Sequence, residues 1–243
     1  MSVTQRRALV TGASGGIGAA ICRRLASAGH FVYVHCHQNR DAAEALVQEL
    51  NKTAHCSEAL AFDVTDADAA RTRLETLVAD APIQILVNNA GLHDDAAFPG
   101  MSARQWHRVL DVAVDGFFNV TQPLSLPMIR ARWGRIVNIS SVTSLIGNRG
   151  QVNYAAAKGA LNAATRSLAL EMASRGVTVN AVAPGIIAGG MAERSFDDDT
   201  IARLVPMKRA GLPDEVASLV GYLASEEAAY ITGQIISING GMI

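Results

Sequence analysis

Tyr154 and Lys158 are the two residues of this 243-residue chain whose types and spacing point most directly to chemistry. They lie four positions apart in a stretch with helical periodicity, so their side chains share one face of a helix. A neighbouring ammonium group favours the phenolate, and we therefore expect it to lower the tyrosine pKa from about 10 towards neutrality. Such a tyrosine can give a proton to a carbonyl oxygen or take one from an alcohol.

A glycine-rich turn is the second candidate for a functional element. Gly12, Gly16 and Gly18 follow the first apolar run of the chain and lead into the first helical pattern. Glycine lets the backbone turn tightly and approach a ligand, and the free N–H groups at the start of a helix can hold a pyrophosphate. For this cluster taken alone, a tight turn without any ligand is the alternative interpretation.

The elements that must position these residues alternate along the whole chain. Short apolar runs predict seven strands, at 8–11, 31–35, 59–61, 83–87, 135–139, 178–183 and 235–238. Stretches with three- and four-residue apolar spacing predict helices at 16–29, 41–51, 66–80, 102–130, 152–175 and 213–224. This alternation predicts an α/β fold in which residues 1–243 form a single Rossmann-type, doubly wound domain, with a seven-stranded parallel sheet and helices on both faces.

One irregular insert, residues 185–212, separates the sixth predicted strand from the last predicted helix. A solvated surface loop is one interpretation of this segment. The other is a lid on the substrate side, because ligands of open parallel sheets bind at the carboxyl ends of the strands. The sequence leaves both interpretations open.

Composition argues against several other classes of function. The formal net charge of -1 provides no long-range field that would attract a nucleic acid or an anionic membrane. No run approaches the roughly 18 apolar residues of a membrane helix, and the first residues lack the pattern of a signal peptide, so we expect a cytoplasmic protein. Cys22, Cys36 and Cys56 have neither disulfide nor metal-ligand spacing, and we expect no bound metal.

Four motifs together resemble the short-chain dehydrogenase/reductase family. They are T-G-x-x-x-G-x-G at 11–18, N-N-A-G at 88–91, Y-x-x-x-K at 154–158 and P-G at 184–185, and they follow the family's order. Within the family, residues 153–159 and 232–241 are most similar to bacterial 3-oxoacyl-[acyl-carrier-protein] reductases. This resemblance implies an NADPH-dependent oxidoreductase that reduces a β-ketoacyl thioester, bound to a carrier protein, in fatty-acid or polyketide-like biosynthesis.

The resemblance also implies roles for individual residues. Ser141, thirteen residues before Tyr154, would hydrogen-bond the substrate carbonyl, Tyr154 would donate the proton, and Lys158 would tune Tyr154 and hold the nicotinamide ribose. Ser140 would point to the opposite face of its strand and is interpreted as structural. Besides Tyr154 and Lys158, the implied cofactor contacts are Gly12, Ser14, Gly15, Gly16, Ile17, Gly18, Asn89, Ala90, Gly91, Pro184, Gly185 and Ile187.

The segment after the second predicted strand bears on the choice of cofactor. It contains His37, Asn39 and Arg40 but no acidic residue that would bind the ribose diol of NAD. Arg40, with His37 or Asn39, can accept a 2′-phosphate instead, which predicts NADPH; a solvated side chain at a helix start is the alternative for Arg40. By resemblance Asp63 and Val64 contact the adenine, although Asp63 is equally well explained as a helix cap.

Partners follow from the same resemblance. Arg130, Arg132 and Arg175 match or neighbour arginines that dock the acidic carrier protein in similar reductases, and we expect them beside the mouth of the active site. Similar proteins are homotetramers. No nucleic-acid or membrane partner is expected.

Three residues depart from the family pattern. Ala113 stands where the family usually has an asparagine that helps a water connect the lysine to solvent, and Gly189 stands where a hydroxyl residue usually touches the nicotinamide carboxamide. Gly15 stands where carrier-protein reductases often have an arginine near the adenosine phosphate, which removes one argument for NADP. We expect the Ala113 carbonyl to hold that water and activity to survive. The alternatives are a reductase or dehydrogenase of a free small ketone or alcohol, and a catalytically weak nucleotide-binding partner subunit.

Overall fold

The computed structural model of the chain describes residues 5–52, 56–189 and 197–243. Its strands form one sheet in the order β3-β2-β1-β4-β5-β6-β7, and every neighbouring pair is parallel. The predicted fold class is thereby confirmed. The strands are β1 (Arg7–Val10), β2 (Phe31–Cys36), β3 (Ser57–Ala61), β4 (Ile85–Asn88), β5 (Gly134–Ile139), β6 (Val177–Pro184) and β7 (Ile235–Ile238).

Helices cover both faces of this sheet because the strands are apolar on both sides. The described α-helices are α1 (Gly16–Ser27), α2 (Arg40–Leu50), α3 (Ala67–Asp80), α4 (Ala103–Leu110), α5 (Gly116–Ala131), α6 (Thr143–Ile146), α7 (Val152–Met172), α8 (Asp198–Leu204) and α9 (Pro213–Leu223). Val10 of β1 packs with α1, α2 and α9 on one face. Its neighbour Leu9 packs with α3, α5 and α7 on the other, as strand alternation requires.

The sequence prediction was wrong in detail at two places. The predicted helix 102–130 is divided by a π turn at Asp111–Asp115, which separates α4 from α5. The insert 185–212 was predicted to be irregular, but it contains α8, whose first turn is capped by the Asp197 side chain accepting from the Thr200 N–H at 2.8 Å. Residues 190–196 of the insert lie outside the described residues.

The strand order places the candidate site. β1 pairs with β2 on one side and with β4 on the other, so the connections after β1 and β4 diverge at this point. In open parallel sheets the crevice at such a switch point, outside the carboxyl ends of the strands, is where ligands bind. The predicted glycine turn follows β1, and the predicted N-N-A-G segment ends and follows β4, so both border this crevice.

Candidate functional site

Lys158 is buried beneath the candidate site. Its Nζ donates a hydrogen bond of 2.8 Å to the Ile139 carbonyl at the end of β5, and it lies over the Tyr154 ring, 5.7 Å from the ring centre. Burial lowers the pKa of Lys158 to about 8. Among the described residues Ile139 is the one hydrogen-bond partner of the Lys158 Nζ, so two of the three ammonium donors stay available for a ligand.

The pKa of Tyr154 does not shift in the direction expected from the sequence. Burial raises the pKa of the phenol, a hydrogen bond with Ser141 acts in the opposite direction, and the charge of Asp95 raises it further. The expected lowering is therefore not found. The physical reason is that desolvation of the phenol, which packs against Ala113 and Ala157, outweighs the hydrogen bond with Ser141. At neutral pH Tyr154 is a phenol, the form that donates a proton.

Ser141 follows the carboxyl end of β5, and its segment is fixed by a chain of side-chain hydrogen bonds. Its Oγ accepts from the Thr143 N–H at 3.1 Å, and its carbonyl accepts from the Ser144 hydroxyl at 2.6 Å. Ser144 in turn accepts from the Asn162 amide of α7 at 2.8 Å. Ser140 is buried, and its hydroxyl lies 3.1 Å from that of Ser144 and 3.3 Å from the Lys158 carbonyl. These contacts tie the Ser141 segment to α7, the helix that carries the tyrosine and lysine.

The glycine turn has the shape of a phosphate cradle. Gly12 has φ +61, and a Cβ there would lie 2.9 Å from the Ala90 Cα. A Cβ on Gly18 would lie 2.6 Å from the Gly12 carbonyl oxygen. Gly15 and Gly16 instead face open space, and α1 begins without a side-chain cap, so its first N–H groups are left for an anion. This cradle fits the pyrophosphate of a dinucleotide.

Two polar side chains hold the cradle against β4. The Thr11 hydroxyl accepts from the N–H groups of Asn89 and Ala90, both at 3.0 Å. The Asn89 amide donates to the carbonyls of Thr11 and Gly12, both at 2.9 Å. Asn89 is therefore bonded to the turn itself, and Gly91 lies beside the Lys158 ammonium, which a Cβ on Gly91 would approach to 3.2 Å. The phosphate cradle and the lysine are thus parts of one site.

The end of β6 borders the same site. The Pro184 carbonyl accepts from the Val142 N–H at 2.8 Å and so joins β6 to the Ser141 segment. Gly185 donates to the Ile238 carbonyl at 2.9 Å, and Ile187 is buried and paired with Gly211. Ser14 and Ile17 are half-buried within the glycine turn.

Arg40, the residue predicted to hold a 2′-phosphate, is exposed at the first position of α2. Its Nε donates to the Glu44 carboxylate one helical turn later, at 2.7 Å. His37 lies in the preceding bend with its Nε2 3.5 Å from an oxygen of Asp63, and Asn39 precedes the helix. The one positive group on this segment that is always charged is thus already paired with a carboxylate of its own helix.

Asp63 and Val64 are partly committed to the fold. Asp66 caps α3, so the cap interpretation of Asp63 was wrong; Asp63 accepts instead from the Thr65 N–H and hydroxyl, both at 2.9 Å. Burial acts to raise the pKa of Asp63, but the bonds from Thr65 and the nearby histidines outweigh it and hold the pKa below its usual range. Val64 is buried, and its carbonyl accepts from the Asn119 amide of α5 at 2.9 Å.

Ala113, which stands at the family's asparagine position, lies inside the π turn and is 5% exposed. A cavity of about 10 Å³ borders it, lined also by the polar side chains of Thr11 and Asn88. This volume is about that needed by one water molecule. π turns within helices are frequent at functional sites.

Sequence reasoning missed two groups that the fold brings to this site. Asp95 accepts from the Gln151 amide at the start of α7 at 2.8 Å and lies 3.1 Å from the His93 ring, which places a carboxylate near Tyr154. His35 hydrogen-bonds the N–H of Gly12. The acidic pair after the N-N-A-G motif was a visible signal for the first group; a single histidine inside an apolar strand gave no signal for the second.

The three arginines expected beside the active-site mouth lie elsewhere in this chain. Arg130 ends α5, while Arg132 and Arg175 precede β5 and β6 by two residues each, so all three are at the amino edge of the sheet. Ser141 and Tyr154 are at the carboxyl edge, and the six residues of β5 span about 20 Å at roughly 3.3 Å per residue. The expectation that these arginines flank the mouth of the same chain was therefore wrong.

In the described ranges 5–52, 56–189 and 197–243, no helix is both long and apolar enough to cross a membrane. Over the same ranges no group of three His, Cys, Asp or Glu side chains is arranged to hold a metal ion.

Known proteins are similar to this chain in both sequence and fold. Residues 6–200 match the family model described as short chain dehydrogenase. A 3-oxoacyl-[acyl-carrier-protein] reductase FabG of Aggregatibacter actinomycetemcomitans is 45% identical over 96% of this chain and 98% of its own length. Nodulation protein G of Azospirillum brasilense is 44% identical over 99% of each chain. A crystal structure of an Agrobacterium tumefaciens protein assigned as a gluconate dehydrogenase superposes with a TM-score of 0.94 at 33% identity, covering 98% of this chain and 95% of that one.

Proposed function

The chain belongs to the short-chain dehydrogenase family, an oxidoreductase family that uses NAD(P), and on this premise we propose that it reduces β-ketoacyl thioesters with NADPH. The acyl group would be carried on an acyl carrier protein, in fatty-acid or polyketide-like biosynthesis. One observation carries the proposal: Lys158, Tyr154 and the Ser141 segment lie together beside the phosphate cradle. The 45% identity to a FabG reductase over nearly the whole chain supports the thioester substrate.

The proposed mechanism assigns one task to each side chain. When bound, the reduced nicotinamide supplies the hydride that the carbonyl carbon accepts. The Tyr154 phenol gives its proton to the carbonyl oxygen, so that one hydride and one proton convert the ketone into an alcohol. The Ser141 hydroxyl donates a hydrogen bond to the same oxygen as its negative charge develops. Lys158 stays anchored to Ile139 and offers its other donors to the ribose hydroxyls.

Arg40 supports the proposed preference for NADPH, and its pairing with Glu44 makes that preference testable. We expect Arg40→Ala to raise the KM for NADPH about tenfold, because a charge-assisted contact with the 2′-phosphate is lost, and to leave the KM for NADH unchanged. Steady-state kinetics with both cofactors measure this. Arg73→Ala, an exposed arginine on α3, is the control and should change neither value. Equal effects of Arg40→Ala on both cofactors would contradict the preference.

Glu44→Gln completes this comparison. Since Glu44 holds the Arg40 guanidinium at 2.7 Å, we expect the amide to free it and to lower the KM for NADPH alone. An unchanged KM for NADPH would show that breaking the Arg40–Glu44 ion pair costs little free energy. Glu44 would then not limit the preference for NADPH.

Ala113 provides a prediction about the departure from the family pattern. The wild-type protein should turn over, and Ala113→Asn should change kcat by less than about tenfold, far below the effect of losing an acid–base group. The reason is that the cavity beside Ala113 has room for a water molecule without the amide. Single-turnover rates with saturating NADPH measure the step concerned. A wild-type protein without activity and an active Ala113→Asn variant would overturn this account.

A substrate panel separates the proposal from its alternatives. The purified protein is given NADPH with an acetoacetyl thioester, with a free small ketone, and, in the oxidising direction, NADP⁺ or NAD⁺ with gluconate. The proposal expects the thioester to have the highest kcat/KM. A higher value for the ketone or for gluconate would favour a dehydrogenase of free small molecules, as the resemblance to the assigned gluconate dehydrogenase allows. Cofactor binding without turnover of any of them would favour a partner subunit.

Assembly and location belong to the same proposal. Apolar side chains are exposed on two neighbouring helices of one layer: Phe118 at 61% and Leu126 at 50% on α5, and Leu170 at 84% on α7. These surfaces support the homotetramer expected from the resemblance, and sedimentation velocity measures the assembly directly. We also propose that the protein works in the cytoplasm and that the described parts of the insert, residues 185–189 and 197–212, lie on the substrate side of the sheet.

A further inference from the structure

His35 is a buried histidine whose two ring nitrogens both have partners. It lies on β2 and is 1% exposed. Its Nδ1 accepts from the N–H of Gly12 at 3.1 Å, and its Nε2 lies 3.0 Å from the Phe62 carbonyl. A neutral ring that accepts at Nδ1 carries its proton on Nε2, so the second contact is a donation to Phe62. The imidazole therefore joins the turn after β1 to the residue that follows β3.

The same residue also fixes the turn through its main chain. The His35 carbonyl accepts from the Ala13 N–H at 2.8 Å, one residue beyond the contact that its ring makes. Two successive N–H groups of the glycine turn are thus held by one histidine. The ring packs against Phe62, with the ring centres 4.2 Å apart. An imidazole with these three contacts, one to Gly12 and two to Phe62, has little freedom to move away from Gly12.

From this geometry we infer that His35 is a positioning residue for the cofactor, which acts by holding Gly12 in the conformation that opens the phosphate cradle. Gly12 has φ +61, and its carbonyl also accepts from Asn89. With the N–H bonded to His35 and the carbonyl bonded to Asn89, both polar groups of this residue are fixed. The N–H groups beyond Ala13, at the uncapped start of α1, are then left for the pyrophosphate.

The contact requires a neutral ring, and its surroundings keep it neutral. Burial lowers the pKa of His35 to about 4; the donation to the Phe62 carbonyl and the charge of Asp63 act to raise it, and His37 acts to lower it. These are the titratable groups that face the ring from β2 and from the segment after β3. An imidazolium would present a proton to the Gly12 N–H in place of a lone pair and would break the contact.

Two variants with the same number and branching of side-chain heavy atoms test the inference. Asparagine keeps an acceptor oxygen near the position of Nδ1, whereas leucine has a similar shape and no acceptor, so His35→Asn and His35→Leu differ mainly in the bond to Gly12. We expect Kd values for NADPH and for NADH that are both about tenfold higher in His35→Leu than in His35→Asn. At saturating cofactor the two variants should share one kcat. Both nucleotides are affected because both carry the pyrophosphate, unlike the effect of Arg40→Ala.

The Kd for the cofactor distinguishes a positioning role of His35 from a general loss of stability. It also does not depend on which substrate the protein reduces. The Kd values come from the fluorescence of the bound reduced cofactor, measured without substrate, so the test rests on the family's cofactor and not on the proposed thioester. Thermal melting of both variants compares their folding. Equal Kd values in the two folded variants, or a difference confined to kcat, would overturn the inference.

A measurement on the wild-type protein keeps the inference testable if His35→Leu does not fold. Nitrogen-15 NMR of the imidazole at pH 7 should show a neutral ring protonated at Nε2. The Nδ1 signal should have the shift of a hydrogen-bond acceptor. A ring protonated at Nδ1, or an imidazolium, would exclude the bond to Gly12 and overturn the inference.

Discussion

Replacing Tyr154 with phenylalanine is expected to lower kcat for ketone reduction by about 10²–10⁴-fold, the usual contribution of a positioned general acid. The ring of Tyr154 packs against Ala113 and Ala157, and phenylalanine keeps that packing. The Lys158 bond to Ile139 does not involve the phenol and should also persist. The Kd for NADPH should therefore stay within a few-fold of the wild-type value, so the loss should be confined to the chemical step.

The control for this variant is another tyrosine that the structure places far from the site. Tyr230 is fully exposed, and Tyr230→Phe should leave both kcat and Kd unchanged. A Tyr154→Phe variant that retains more than about a tenth of wild-type kcat would mean that some other group donates the proton. Asp95 and Ser141 would then be the nearest groups to examine.

Gly18→Ala is expected to raise the Kd for NADPH and for NADH about 10- to 100-fold. Its Cβ would lie 2.6 Å from the Gly12 carbonyl oxygen, 2.7 Å from the Asn89 amide nitrogen and 2.8 Å from the Ala13 Cα. Two of these atoms belong to the backbone of the turn and the third to the side chain that holds it, so the turn itself must shift. Overpacking of this kind typically costs about 1–3 kcal/mol, which corresponds to the expected change in Kd.

A matched glycine substitution separates this clash from the general effect of adding a methyl group. Gly100 lies in the exposed turn before α4, where a Cβ would meet no atom within 4 Å. Gly100→Ala should therefore bind both cofactors like the wild type. Wild-type affinity in Gly18→Ala would contradict the assignment of this turn as the phosphate cradle.

The sheet was predictable from the sequence because burial on both faces leaves a strong local signal. Strands such as β5 and β6 are buried at every residue, so most of their residues are apolar and turns bound each run. The location of the motifs at one edge of the sheet then follows from the direction of the strands. Each motif except Y-x-x-x-K begins at or just after the carboxyl end of a strand.

The parts that were not predicted depend on contacts between distant segments or on backbone geometry. His35 lies 23 residues from Gly12 and 27 from Phe62, and only the parallel register of β1, β2 and β3 brings them together. The π turn at Asp111–Asp115 leaves the apolar periodicity of its helix almost unchanged, so the division between α4 and α5 is invisible in the sequence.

The position of the arginines was available from the sequence and was overlooked. Arg132 and Arg175 lie three residues before predicted strands, and the start of a strand lies at the edge of the sheet opposite to Ser141. The resemblance to similar reductases assigned these arginines to carrier-protein docking beside the active-site mouth. The direction of β5 and β6, however, places them at the opposite edge of the sheet. The Asp197 cap of α8 was a similar signal, because an acidic residue before a helical turn is a common start of a helix.

The most direct test of the central claim follows the transferred hydride. The protein is mixed with an acetoacetyl thioester and NADPH in which both hydrogens at the reactive nicotinamide carbon are replaced by deuterium, and the product is analysed by mass spectrometry. We predict one deuterium at the β-carbon of the hydroxyacyl thioester with the wild-type protein, and almost none with Tyr154→Phe over the same time. Unreacted thioester in the presence of bound NADPH would contradict the claim that this site reduces β-ketoacyl thioesters.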